Sequence, residues 1–148
     1  MIVFYFLLWT LILYWIHRLG HRLFFVKDLH LDHHRYVLQH NVGWHWSNLF
    51  LFNDNLKSTL DLWITEVIPT LIFSYATGQW WISIFYYLWA ALIQESIEHN
   101  KNFDLPILTS GKWHLLHHRS KCNYGLFTPV WDIVFRTYKS VHKREQLV

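Results

Sequence analysis

Apolar and polar positions fall along this chain in long blocks. Ile2 to Ile16 is an apolar and aromatic run interrupted only by Thr10, and His17, Arg18, His21 and Arg22 follow at once. A helix needs about 20 apolar residues to span a bilayer core. The run reaches that length if it continues to residue 24, with Arg18 and Arg22 extending toward water. Neither a basic start nor a small-residue cleavage site accompanies it, so a retained membrane helix is expected rather than a signal peptide. Leu60 to Thr77 and Trp80 to Ile93 are two further apolar runs, separated by Gly78-Gln79. That tight turn predicts an antiparallel hairpin of membrane helices near residues 59–77 and 80–98.

Two polar blocks, 27–57 and 100–148, complete the chain. In the first, Lys27-Asp28 marks an expected helix start, His30 to His40 continues helically, and Asn41-Val42-Gly43 breaks the helix. Trp44, Trp46, Leu49, Phe50 and Phe52, interleaved with Ser47, Asn48 and Asn53, predict a short amphipathic helix at a membrane interface, where Trp is favoured. The second block holds Pro106 and a Thr109-Ser110-Gly111 loop before another helix, and ends in a basic stretch from Lys139 to Arg144. The expected fold is all-α: a single multipass membrane domain over 1–148, with about three spans and a His-rich helical cap.

Composition and charge sharpen this picture. Hydrophobic residues make up 53% of the 148 residues, with ten Trp, eight Tyr and eleven Phe, more than a soluble domain of this size carries. All thirteen Lys and Arg fall between Arg18 and Lys57 or between Lys101 and Arg144. Positive residues concentrate on the cytoplasmic side of membrane helices, so both polar blocks are expected there. Asp61, near a helix end, is expected to be solvated. Glu66 lies deeper, where a carboxylate is costly, and a protonated or hydrogen-bonded structural role is favoured for it. Cys122, the one cysteine, excludes an internal disulfide and a Cys-based zinc module and is expected on the cytoplasmic side.

Metal chemistry must therefore rest on imidazoles and carboxylates, and the chain groups them. His30-Leu31-Asp32-His33-His34 is echoed by His114-Leu115-Leu116-His117-His118, and on a helix each set aims three imidazoles in one direction. His17 and His21 form a pair at spacing four, and so do Glu95 and His99. Imidazole is the commonest protein metal ligand, and two such triple-His faces can enclose metal. His40 and His45 stand outside these clusters and are read as interfacial or hydrogen-bonding residues. Trp113 is read as packing. No phosphate-cradling glycine loop, dinucleotide fingerprint or haem-attachment cysteine pair is present. Electrons must then come from another protein, and nothing points to a nucleic-acid partner.

The order His17-x3-His21, His30-x2-His33-His34, an element ending in His99-Asn100, then His114-x2-His117-His118 followed by Asn123-Tyr124-Gly125 and Trp131-Asp132 resembles the fatty acid hydroxylase and sterol desaturase superfamily. The resemblance covers residues 17–138, and Phe52-Asn53-Asp54 resembles small bacterial carotenoid hydroxylases. Relatives commonly have His where this chain has Glu95, and Phe-Gly-Thr where it reads Phe135-Arg136-Thr137; many also carry further N-terminal membrane segments.

The resemblance implies two iron ions at the cytoplasmic ends of membrane helices, with zinc or another divalent metal a possible occupant after purification. It implies nine imidazole ligands (His17, His21, His30, His33, His34, His99, His114, His117, His118), with Glu95 as a further candidate. Asp132, Asn123 and Asn100 are the nearby groups expected to orient the imidazoles, with Asp32 and Glu98 either joining them or facing solvent. The implied activity is oxidation of an unactivated C–H bond in an apolar lipid (fatty acyl, sterol or carotenoid-like) by dioxygen, with a ferredoxin- or cytochrome b5-like electron donor. Hydroxylation is the first expectation and desaturation at the same centre the alternative. The rival from another class is a non-catalytic metal-binding or metal-transporting membrane protein, which should place its ligands near mid-membrane along a path; here they lie at helix ends and in the polar blocks.

Overall fold

The computed structural model describes residues 1–40, 43–53, 55–94, 96–105 and 108–140. Among these residues its regular structure is all helical, apart from one isolated antiparallel bridge between Asp104 and Ser110. Helix α1 (Ile2–Gly20) buries Trp9, Thr10, Leu13, Tyr14, His17 and Gly20, a set at helical spacing that turns one stripe inward. Phe4, Trp15 and Leu19 face outward. His17 and Arg18 occupy the last turn, where positive or polarisable groups suit the negative end of the helix dipole. The helix ends at Gly20, four residues short of the expected 24, because the chain turns through Arg22 and Leu23 into α2 (Phe24–Gln39). α2 accordingly begins before Lys27-Asp28. Asn41 and Val42, the expected breakers, lie outside the described residues, and the helix has already stopped at Gln39, where His40 turns extended.

The interfacial segment forms a short 3₁₀ turn, Trp46–Phe50, started by His45 and stopped by Leu51 at φ 51°. The hairpin follows. Helix α3 (Leu56–Leu62) continues through a π turn (Trp63–Val67) into α4 (Ile68–Thr77). Gly78, at φ 70°, makes the left-handed turn that sends the chain back, a conformation glycine adopts without a Cβ clash. Helix α5 (Trp80–Trp89) then runs into a second π turn, Ala90–Gln94. The expected third helix near 80–98 stops there, since Ser96 adopts φ −134°, ψ −83° and only a 3₁₀ turn, Ile97–His99, follows. Among the described residues one helix, Ile2–Gly20, is long and apolar enough by length and composition to cross a membrane.

The two π turns carry the polar residues of the hairpin. A π turn inserts one extra residue, rotates the following side chains, and often marks a functional site. Here it brings Glu66 inward to accept hydrogen bonds from Gln94 Nε2 at 2.9 Å and from the Tyr86 hydroxyl at 3.3 Å, matching the hydrogen-bonded structural role expected of it. Around this pair the core is aromatic. The Trp9 ring lies 4.7 Å from that of Phe127, centroid to centroid and tilted by 40°, and its Nε1–H donates to Thr70 at 3.0 Å, joining α1 to α4.

The remaining helices are α6 (Gly111–Arg119), capped by the Ser110 hydroxyl, and α7 (Val130–Val134). α6 lies against the turn at 97–100 so closely that a Cβ on Gly111 would collide with the Asn100 carbonyl. Only glycine lets the second triple-His helix reach His99. Gly111→Ala should therefore lower stability by about 2 kcal/mol or more, seen as a reduced thermal midpoint of the purified protein. An unchanged midpoint would contradict this close packing.

Candidate metal centre

Four segments converge at one end of the helices: the C-terminal turn of α1, the middle of α2, the 97–99 turn and α6. Each delivers imidazoles. His17 and His21 from α1, His30 and His34 from α2, and His117 from α6 have ring nitrogens all within 4.8 Å of one another. His33, His99 and His118 form a second such group, and His114 joins it with its Nε2 2.9 Å from that of His118 and 3.2 Å from that of His99. His34 stands between the groups, its ring centroid 4.3 Å from that of His118 and 4.5 Å from that of His30. All nine histidines of the sequence pattern are thus brought together. His40 and His45 are elsewhere, the first bonded to the Tyr36 carbonyl and the second to Ser47.

The outer ring nitrogens show what the inner ones do. His17 donates its Nδ1–H to the Tyr124 carbonyl at 2.8 Å, and His117 donates to the Cys122 carbonyl at 2.7 Å. His30 donates Nδ1–H to Asp61 Oδ2 at 2.8 Å. A neutral imidazole with its proton on Nδ1 has a bare lone pair on Nε2. The Nε2 atoms of His17 and His30 nevertheless face each other at 3.0 Å, where two lone pairs repel. Those of His21 and His30 stand at 3.0 Å, and those of His21 and His117 at 3.2 Å. A cation bound to both nitrogens turns this repulsion into attraction. With metal–nitrogen bonds near 2.1 Å, ligands at right angles are about 3.0 Å apart, so the donor set fits a transition-metal ion. Soft thiolate is absent from it, and imidazole suits iron, zinc or copper.

Burial keeps these rings in the ligand form. Loss of hydration, and then repulsion from neighbouring imidazoles, holds His30, His114 and His118 well below the ordinary histidine range. Burial likewise pushes His33 down to about 4 and His117 to about 3. Metal binding needs neutral imidazole, and this shell is neutral at any physiological pH.

The expected supporting residues are placed differently from the expectation. Asp132, fully buried, touches no imidazole. It accepts the backbone N–H groups of Tyr124 at 2.7 Å and Gly125 at 2.8 Å and the Thr137 hydroxyl at 2.6 Å, and so fixes the loop whose carbonyl holds His17. Asn123, left-handed at φ 54°, bonds the carbonyls of Trp113 and Lys139 and acts one step removed as well. Asn100 is exposed and accepts the Asn102 N–H. Its contribution is the backbone that packs on Gly111. Asp32 lies on the surface side, 3.8 Å from Lys57. Glu98 is buried, with one oxygen accepting the Thr109 hydroxyl at 2.6 Å. Glu95 lies outside the described residues.

Asp61 is the correction that matters most. Expected in solvent, it is 5% exposed and bonded to His30, because α3 starts at Leu56 and turns residue 61 toward α2. The signal was available: Asp61 sits beside Ser58, Thr59 and Thr65 in an otherwise apolar run, and an isolated carboxylate there needs a partner. Cys122 is buried with 1% exposure and serves through its carbonyl.

The fatty acid hydroxylase family model matches residues 2–137. The chain belongs to this family. Among curated proteins it is similar to the Delta(7)-sterol 5(6)-desaturase of Leptosphaeria maculans, at 29% identity over 133 residues, covering 87% of this chain and 34% of that protein. It is also similar to the Delta(7)-sterol 5(6)-desaturase of Gibberella zeae, at 29% over 137 residues, covering 90% and 36%. A third relative, from Aspergillus fumigatus and of the same description, is 27% identical over 133 residues, covering 86% and 34%. The chain spans about a third of the length of the curated relatives it matches. No solved structure matches it.

The neutral shell has a pH consequence. Imidazoles that stay neutral when folded take up protons when unfolded, so the unfolded chain binds more protons below pH 6.5 and stability rises with pH. Metal-free protein should lose stability as pH falls from about 6.5 toward 4, and His117→Gln should make that loss shallower. Thermal unfolding in detergent across this range checks it. A flat profile would contradict buried neutral imidazoles.

Proposed function

We propose that this chain is a membrane-embedded, metal-dependent oxidoreductase that uses dioxygen to hydroxylate or desaturate a C–H position of a lipid. The observation that carries the proposal is the pair of imidazole groups whose Nε2 atoms stand about 3 Å apart, those of His17 and His30 with bare lone pairs facing. We read them as two metal positions, His17, His21, His30, His34 and His117 at one and His33, His99, His114 and His118 at the other, with iron as the working metal. Bound there, the metal pair supplies the activation of dioxygen with two electrons from an external donor protein. Hydroxylation inserts one oxygen atom and releases one water, consuming two protons; desaturation removes two hydrogens and releases two waters. The names of the relatives favour desaturation, and the family description favours hydroxylation.

The chain's own residues contribute position and exclusion. Tyr124, Cys122 and Asp61 orient imidazoles, and Leu62 and Leu126 are the apolar residues lining the cavity beside them. The outer faces of the hairpin support membrane burial: Ile64, Ile68, Leu71, Ile72 and Tyr75 on one arm and Ile84, Leu88 and Leu92 on the other are exposed. Exposed apolar area of this extent needs a nonpolar environment. The absence of Lys and Arg from residues 58–100 agrees with a hairpin inserted from the cytoplasmic side, and so does the collection of all nine histidines at its basic end.

Three measurements test this. Protein purified without chelator should carry close to two transition-metal ions per chain, and His118→Ala should lose metal; a content near zero sinks the metal reading. Lipid extracts of cells with and without the protein should differ by a gain of one oxygen or a loss of two hydrogens in one lipid class, while metal binding without any such product would favour a non-catalytic protein. For orientation, Lys121 is exposed where Cys122 is not. A Lys121→Cys variant in a Cys122→Ser background should resist a membrane-impermeant thiol reagent in sealed cells and react after permeabilisation.

A further inference from the structure

The two imidazole groups differ in what stands behind them. In the five-histidine group, three rings have their outer nitrogen occupied: His17 by the Tyr124 carbonyl, His117 by the Cys122 carbonyl and His30 by the Asp61 carboxylate. In the four-histidine group, the Nδ1 atoms of His99 and His118 are buried without a hydrogen-bond partner among the described residues. His114 Nδ1 lies 3.7 Å from Glu98 Oε1, beyond hydrogen-bond range, and that oxygen already accepts the Thr109 hydroxyl. A ring nitrogen donating to a carbonyl or carboxylate is fixed in tautomer and orientation and is a stronger donor to metal through its other nitrogen.

Resting on the reading that both groups bind metal, we propose that the two positions are unequal and that Asp61 is the positioning residue chiefly responsible. The five-histidine position fills first and holds its ion more tightly; the four-histidine position is the weaker. Asp61 does what the two carbonyls cannot: with a cation on the far nitrogen of His30 favouring its ionised form, it places negative charge beside an otherwise neutral shell. Both side chains of the His30–Asp61 pair are under 10% exposed, at 8% and 7%, so water screens that charge little.

The geometry around Asp61 fits this role. Its backbone carbonyl accepts the Thr65 hydroxyl at 2.7 Å, which holds the start of the π turn. Its second oxygen, Oδ1, makes no protein hydrogen bond among the described residues, and neither do the Ser58 hydroxyl or the Asn53 side-chain amide. All three residues line one cavity of about 20 Å³ that also reaches His30 and His34, space enough for an ordered water. Such a water would satisfy Oδ1 and leave Oδ2 committed to His30.

A merely structural Asp61, tying α2 to α3, would change stability without ordering the two metal positions. Titration of metal-free full-length protein in detergent with cobalt(II), followed by its ligand-field absorption, separates the two roles. Wild-type protein should fill in two steps, the first about tenfold or more the tighter. Asp61→Asn, which can keep the hydrogen bond but loses the charge, should weaken the first step by about 10–100-fold and leave the second in place. Asp61→Ala should weaken it further, and Glu98→Gln should leave the first step unchanged. The unfolding midpoint of metal-free Asp61→Asn, close to wild type, shows that the fold persists. Two equal steps in the wild type, a first step untouched by either Asp61 variant, or an equal loss in Glu98→Gln overturns the inference while leaving the metal reading intact. No cobalt binding by the wild type overturns both.

Discussion

Everything in this structure answers to the repulsion between imidazole nitrogens held about 3 Å apart with their lone pairs facing. No neutral protein contact makes that arrangement favourable: the protons that could bridge His17 and His30 are committed to the Tyr124 carbonyl and to Asp61. The rings are also too buried to protonate. The shell is therefore loaded toward a cation, and the rest of the chain keeps it from relaxing. α1 is pinned through Trp9 and Thr70, through Thr10 and Trp131, and through Tyr14 and Thr137. Each of these bonds joins it to a segment more than sixty residues away, so the pairs His17–His21 and His114–His118 cannot drift apart independently.

The outer layers are mostly backbone, which explains why the Asn-Tyr-Gly and Trp-Asp landmarks accompany the histidines. Asp132 gathers two N–H groups and a hydroxyl, and Asn123 adopts a left-handed turn locked by Trp113 and Lys139. A Cβ on Gly125 would collide with the Thr128 carbonyl. The product of these constraints is one well-placed carbonyl on Tyr124. A buried carboxylate at 132 thus acts on the imidazole cluster through a loop, by placing the carbonyl that holds His17.

Much of this was legible in the residues. Continuous apolar runs identified α1 and the hairpin, Gly78 its turn, and the His spacings the imidazole clusters, because each of those signals is local: an apolar run, a glycine between two of them, or a repeat of three or four. What the sequence left unread depends on contacts distant along the chain. The partition of the histidines into five and four follows from α2 lying between α1 and α6, so that His30 and His34 face one way and His33 the other; spacing alone assigns all three to one point. Ser96 breaks a helix that composition would continue. Asp61 looked solvated because its distance from the expected helix end was measured from Leu60, whereas Asn55 caps the helix and starts it at Leu56.

The polar content of the hairpin then has one physical account. Asp61, Glu66 and Gln94 are costly in an apolar setting, and two π turns, which sacrifice regular helical hydrogen bonding, are needed to turn the last two inward. Stability gives no reason for such an arrangement, since a Leu at each position would suit a membrane hairpin better. Their common feature is the cavity they line together with His30, His34, His114 and His118. The carboxylates and the amide face the same interior as the imidazoles. The segment matched by the family model, residues 2–137, contains both the imidazoles and these carboxylates. The imidazoles and the carboxylates beside them are therefore carried by one stretch of chain.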